Sequence, residues 1–450
     1  MRRKALVLVL LFGFVGLAAP TVTPAPWRYG VIYWVGEVPQ RPEAYVNMAT
    51  NWVERVFRFW GLLPVPQPSA AWATPEVVEA PTRAEARALL GSDLPPEAVL
   101  AVGPEPGTFW VIRPLLLGER RIQPLTLVVF PDVPALQDAV GHYGAGALFA
   151  LGEDEERELW DVAEPWLAEL VGELGAPAVL APRTGLPPFT PKDYFLHALA
   201  HEVAHWAMVV WAQGQGLTAA KIPPLLREGL ATYTQLSFLV TPGKVPPSLL
   251  HPVAALWART GSLTAVPRTF TYEVGVSLVD FLVRRHGWER LLVLLPEYLL
   301  SWEEHLGEWD EPWRAWLAGD LPPEAHVLFR IVAEALPLCA RMVQPFFPQA
   351  WDLVASLRTE EDLERFWDLF SQPLPPPSPE LWEELRRRER MFAHLALDPE
   401  VKDEVRRRAR EILSRLEALR AQGDWEAYTA TFLEGVQTLF GRLPVPMEAS

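Results

Sequence analysis

His201-Glu202-Val203-Ala204-His205 places two imidazoles four residues apart with a carboxylate beside the first. Residues at that spacing share one face of a helix, so both side chains can bind one Zn²⁺ while Glu202 projects toward a water on the ion. The rival reading makes His201 and His205 hydrogen-bonded core histidines with Glu202 as their partner. It would leave an acid and two bases buried together without a purpose. A third ligand is available downstream at Glu228, near the start of a second helical stretch. Two His and a Glu with one coordination position left open form a catalytic zinc arrangement. The alternatives fit worse: Met208 and Trp211 stand where a longer His motif needs Gly and His, and one cysteine cannot make a thiolate site.

The elements around these residues follow from local pattern. Thr190 is expected as N-cap, with Pro191 and Asp193 in the first turn of a helix over about 191–212. From Phe195 to Trp211 the chain is apolar apart from His197, His201, Glu202 and His205, which predicts a buried helix. Gly214 and Gly216 are expected to break it. Pro223-Pro224 starts the third-ligand helix over about 224–239, and Thr241-Pro242-Gly243 should stop it.

His201-Glu202-x-x-His205 followed by Glu228-Gly229-Leu230-Ala231 resembles the gluzincin metallopeptidases, particularly their bacterial peptidase MA-like members. The resemblance implies His201, His205 and Glu228 as zinc ligands and Glu202 as catalytic base. It extends weakly to Tyr272 through Leu282 with Arg285-His286-Gly287, similar to the helix after the third ligand, and to Pro124 through Asp132, which resembles the strand of the lobe before the zinc helix. It covers about Pro42 to Leu295. Arg227 stands where the aminopeptidases of the wider clan carry Asn, and Thr232 where thermolysin-like enzymes carry an Asp that supports a ligand.

Tyr272 is the first candidate for an oxyanion donor, because a phenol donates without being charged. His286 and His251 are lesser candidates. His197, one turn before His201, is a candidate supporting partner, and Asp280 or Glu273 could orient a ligand imidazole.

The chain of 450 residues, half of them hydrophobic, suits two or three cores. A net charge of −16 disfavours nucleic acid as a partner. Cys339, the one cysteine, excludes internal disulfides. Met1-Arg2-Arg3-Lys4, the apolar Ala5–Leu17 and Ala18-Ala19 predict a signal peptide over 1–19, with an uncleaved anchor as the alternative. The expected location is therefore secreted, periplasmic or cell-surface.

The expected fold is α+β. A thermolysin-like catalytic unit over 27–297, with a mixed-sheet lobe and a helical lobe, precedes an all-α region over 298–450. Helices are expected at Glu43–Trp60 and Arg83–Leu90 and within Glu153–Gly175. Strands are expected within Trp27–Gly36, at Thr108–Arg113 and at Leu125–Phe130, and a loop at Pro64–Pro81. Trp309, Trp313 and Trp316 read as core rather than as a binding platform. The arginine runs 386–388 and 406–408 read as salt-bridged faces.

The leading expectation is an exported zinc metallopeptidase with one Zn²⁺ per chain, acting on a peptide or protein. The alternatives are a scaffold that keeps the zinc residues without turnover, and a zinc hydrolase of a non-peptide amide or ester.

Overall fold

A computed structural model describes residues 20–440 apart from 63, 68–74, 152–159, 161, 174–175, 185–190, 240–243, 377 and 399–400; for 191–194 it describes the backbone alone. The expected signal segment, the Thr190 cap and the Thr241-Pro242-Gly243 stop lie outside these residues. No helix among the described residues is long and apolar enough to cross a membrane.

The protein is α+β. Its ten described strands are β1 (Val22–Trp27), β2 (Gly30–Val35), β3 (Glu76–Glu79), β4 (Val99–Val102), β5 (Thr108–Ile112), β6 (Leu115–Leu117), β7 (Arg120–Ile122), β8 (Leu125–Asp132), β9 (Leu148–Ala150) and β10 (Ala178–Thr184). The main sheet has the order β1-β2-β8-β10-β9. Its centre is parallel, whereas β1 and β9 pair antiparallel at the two edges. Side chains alternate between the sheet's faces. Val31, Tyr33, Val128, Phe130 and Leu180 enter one core, whereas Ile32, Trp34, Leu127, Val129, Val179 and Ala181 enter another. Both faces are covered, which is why β2 and β8 are near-continuous apolar runs.

The helices in chain order are α1 (Pro42–Phe59), α2 (Arg83–Leu90), α3 (Val133–Val140), α4 (Pro165–Val171), α5 (Pro191–Gly214), α6 (Pro224–Ser237), α7 (Pro247–Leu250), α8 (Pro252–Thr260), α9 (Thr271–His286), α10 (Trp288–Leu300), α11 (Trp302–Leu317), α12 (Ala325–Ala333), α13 (Leu336–Val343), α14 (Ala350–Ser356), α15 (Glu360–Asp368), α16 (Pro379–Leu397), α17 (Asp403–Gln422) and α18 (Trp425–Phe440). Asp132 caps α3 through a 2.8 Å bond from the Ala135 N–H. Helix α5 is apolar on every side because it is covered on every side: Val203, Ala204, Trp206, Ala207 and Met208 are all within the core.

One expectation needs correction. The Pro64–Pro81 stretch is not all loop: Glu76–Glu79 forms β3 and pairs with β5. Its exposed Val77 and its glutamates gave no hydrophobic alternation to read. Strand β1 adds to the expected elements, and its Pro24 and Pro26 are tolerated because it lies at the edge of the sheet. The helix expected within Glu153–Gly175 is present, in the described part, as the seven-residue α4.

The tryptophans behave as core. Trp309 and Trp313 are buried in the same cluster as α5. This core continues beyond the expected boundary at 297/298, and the second core gathers from about Leu336, around Phe347, Phe366, Phe392, Tyr428 and Phe432. The arginine runs pair along their own helices, among them Arg387 with Glu384 and Arg407 with Glu411.

Candidate metal centre

Helices α5 and α6 meet at the expected ligands. His201 Nε2 lies 3.2 Å from His205 Nε2. Glu228 Oε2 lies 3.3 Å from each imidazole nitrogen. All three residues are largely enclosed. Zinc bonded at about 2.0–2.1 Å in tetrahedral geometry separates its ligand atoms by about 3.3 Å, so the triangle matches one face of that polyhedron. Hydrogen bonding alone satisfies the triangle poorly. Two Nε2–H groups aimed at one carboxylate oxygen would bring like partial charges to 3.2 Å of each other. With both imidazoles neutral and their lone pairs turned inward, the triangle could hold a cation. The donor set of two imidazoles and one carboxylate fits a divalent metal.

Burial and close packing shift the ionisation of all four groups. Burial would raise the Glu228 carboxyl, but His205 and His201 beside it hold it well below the usual carboxylate range. Burial keeps the His205 imidazole below its ordinary value. His201 is pulled upward, against burial, by its bond to Glu228 and by Glu202. Burial raises Glu202 to about 7, with His201 opposing and Glu228 adding to the rise. A carboxylate so poised can accept a proton and return it near neutral pH.

Two glycines set the approach of α9 to α6. A Cβ on Gly229 would stand 2.4 Å from the Gly275 carbonyl oxygen, and one on Gly275 would stand 2.4 Å from the Leu225 oxygen. Neither position has room for a side chain, and the close crossing brings Tyr272 beside Glu228. The Tyr272 ring lies 5.7 Å from that of His201 and is half exposed to the cleft. Glu228, then burial and Glu202, push its phenol well above the ordinary value, so it remains a donor. On the other side the ring of Phe149 in β9 stacks on His205 at 5.8 Å. Gln235 Nε2 donates to the His197 carbonyl at 3.1 Å and ties α6 to α5.

The ligands lie between two cavities. One, of about 800 Å³, is lined by Leu148, Phe149, His197, Glu202, Tyr272 and Arg268 among others. The other, of about 280 Å³, adds His205, Met208, Val209 and Ile222.

The remaining candidates are not brought together. His251 Nε2 bonds Asp280 Oδ2 at 3.0 Å, and Arg284 holds the same carboxylate, so Asp280 orients neither ligand. Glu273 Oε2 is buried without a hydrogen-bond partner, and burial raises its carboxyl to about 7; it orients neither ligand either. His286 contacts Tyr298, at 3.3 Å, away from the cleft. Thr232 lines the large cavity with its buried hydroxyl unpartnered, so no carboxylate occupies that position.

The sequence reading missed Arg268, His142, His394 and Asp398, all on the large cavity's wall. No local motif marks them, because His394 and Asp398 arrive from the second core. Comparison of the chain with protein-family models, with curated proteins and with solved structures gave no match.

Proposed function

We propose that the protein is a zinc-dependent metallopeptidase of gluzincin type, exported from the cell that makes it. The observation that carries this reading is the triangle of ligand atoms 3.2–3.3 Å apart, with Glu202 on the wall of the same cleft. His201, His205 and Glu228 would hold the ion. Zinc bound there supplies Lewis acidity toward a carbonyl and makes a water easier to deprotonate.

The chain's own residues account for the rest. Glu202 takes the proton of the attacking water and delivers it to the leaving amine. Tyr272 donates its phenolic hydrogen to the oxygen that gains charge at the attacked carbon. A peptide is favoured over a simple ester by β9. Among the described residues it is an edge strand at the cleft, with one side paired to β10. An edge of this kind can take an extended peptide as a further strand. The smaller cavity, with Met208, Val209 and Ile222, suits an apolar side chain.

The test is cleavage of a broad peptide library by zinc-loaded protein. Glu202→Gln should retain zinc and lose about a thousand-fold in rate. Tyr272→Phe should lower kcat about a hundred-fold with little change in KM, as expected for a donor used mainly in the transition state. A zinc-loaded parent that cuts no library member would sink the peptidase reading.

A further inference from the structure

The second core does not stand apart from the cleft. Asp398 follows α16 directly and lines both cavities. Its carboxylate pairs with Nη1 of Arg268, which precedes Tyr272 by one helical turn. The same face is fastened at three further points. His394 Nε2 donates to the Val140 carbonyl at 2.7 Å, Arg390 Nη1 to Glu164 Oε1 at 2.9 Å and Arg341 Nε to Gln137 Oε1 at 2.8 Å. Two of these acceptors, Gln137 and Val140, lie on α3, which leads into β9. The helical region therefore builds the cleft's far wall and holds the chain that enters the edge strand.

Exposure divides the Arg268–Asp398 pair. The Asp398 side chain is 9% exposed and that of Arg268 47%. Both residues border the cleft, and the carboxylate holds a guanidinium that is the more exposed of the two. A guanidinium carries five donors in one plane and can hold two carboxylates together. Arg227, the nearby alternative, lies 3.5 Å from Glu228 Oε1 and so belongs to the metal cluster. Arg268 is held instead by a residue with no part in that cluster. The net charge of −16 repels anions at a distance, so recognition of a carboxylate requires a local cation of this kind.

Resting on the peptidase reading above, we propose that Arg268, presented by Asp398, binds a substrate carboxylate and so selects which peptides enter the cleft. The carboxylate is either the chain terminus or an acidic side chain, and the test separates the two.

The probes are an N-acetylated hexapeptide of alanine and leucine as free acid, its C-terminal amide, and that amide with one central glutamate. Binding is measured calorimetrically on zinc-loaded, full-length Glu202→Gln protein, so no turnover is needed. With Arg268 present, the free acid or the glutamate peptide should bind about 30-fold tighter than the plain amide. Whichever probe carries the advantage identifies the carboxylate. Arg268→Gln should bring that ratio to about one, whereas Arg268→Lys, which keeps the charge and the Asp398 pair, should retain part of it. Asp398→Asn should lower the ratio by less than Arg268→Gln does. A ratio that rose would mean that Asp398 competes for the guanidinium, and would overturn its presenting role. A carboxylate preference in binding with no cleavage by the parent would sink the peptidase reading and leave the Arg268 assignment standing. Cleavage of probes that bind equally, a preference that survives Arg268→Gln, or no binding by any probe would overturn the assignment.

Discussion

His205, within α5, and His251, between α7 and α8, are both buried imidazoles beside a carboxylate, yet the groups around them differ. At Asp280 the carboxylate receives His251 at 3.0 Å and two Arg284 nitrogens at 3.1 Å. Donors and acceptors balance, the arginine supplies the positive charge, and the cluster is complete. At Glu228 two imidazole nitrogens and one carboxylate oxygen converge on a single point. With both Nε2 atoms unprotonated, three lone pairs face that point, Arg227 reaches only the other carboxylate oxygen at 3.5 Å, and a cation would complete the balance. The difference separates a cluster that stabilises the fold from one suited to hold a metal. The presence of His and acid does not.

Substitutions at the two carboxylates should separate the clusters. The largest effect is expected for Glu228→Gln, which should weaken zinc binding about a thousand-fold. Thermal unfolding without metal should change far less, and competition with a zinc chelator reads the affinity. Asp280→Asn should do the reverse: about 3 kcal/mol of stability lost, with zinc retained.

Its pH dependence has a definite sign. Burial alone would raise the Asp280 carboxyl, but the bonds from His251 and Arg284 hold it below its ordinary value of 3.8. Its contribution is therefore complete above that value and is lost as the pH falls through the lower folded value. Denaturant midpoints for parent and variant should differ most at neutral pH and converge in acid.

The smallest effect concerns Glu273. Its folded value is raised from 4.5 to about 7. Ionising it thus burdens the folded state increasingly between those values and fully above the upper one. Glu273→Gln should stabilise the protein by about 1 kcal/mol at about pH 8 and by nothing at about pH 4. Zinc lost from this variant would instead show Glu273 supporting a ligand.

What the sequence disclosed followed from distance along the chain. The His201–His205 pair and Glu202 were legible because one helix's periodicity fixes their relation. Glu228 was legible because an apolar run opened by Pro223-Pro224 marks the next helix. The choice among Tyr272, Glu273 and Asp280 was not, since it depends on how α9 is rotated. Glu273 and Asp280 share a face turned about 90° from Tyr272, and the Gly229–Gly275 crossing decides which face meets Glu228. That pair of glycines was a readable signal, although it marks a contact only once the two helices are known to cross. β3 and β1 were obscured by glutamates and by prolines, which break the alternation of a strand pattern. The Arg268–Asp398 contact joins elements far apart in sequence, and no local pattern encodes it.

The central claim is that His201, His205 and Glu228 together hold one zinc ion. Zinc X-ray absorption on the loaded parent, with metal content measured alongside in Glu228→Gln, tests it directly. About one zinc per chain is expected, with two imidazoles and oxygen ligands at about 2.0–2.1 Å and no sulfur, and loss of metal in the variant. A parent that takes up no zinc, or a variant whose zinc content and spectrum match the parent's, would contradict it.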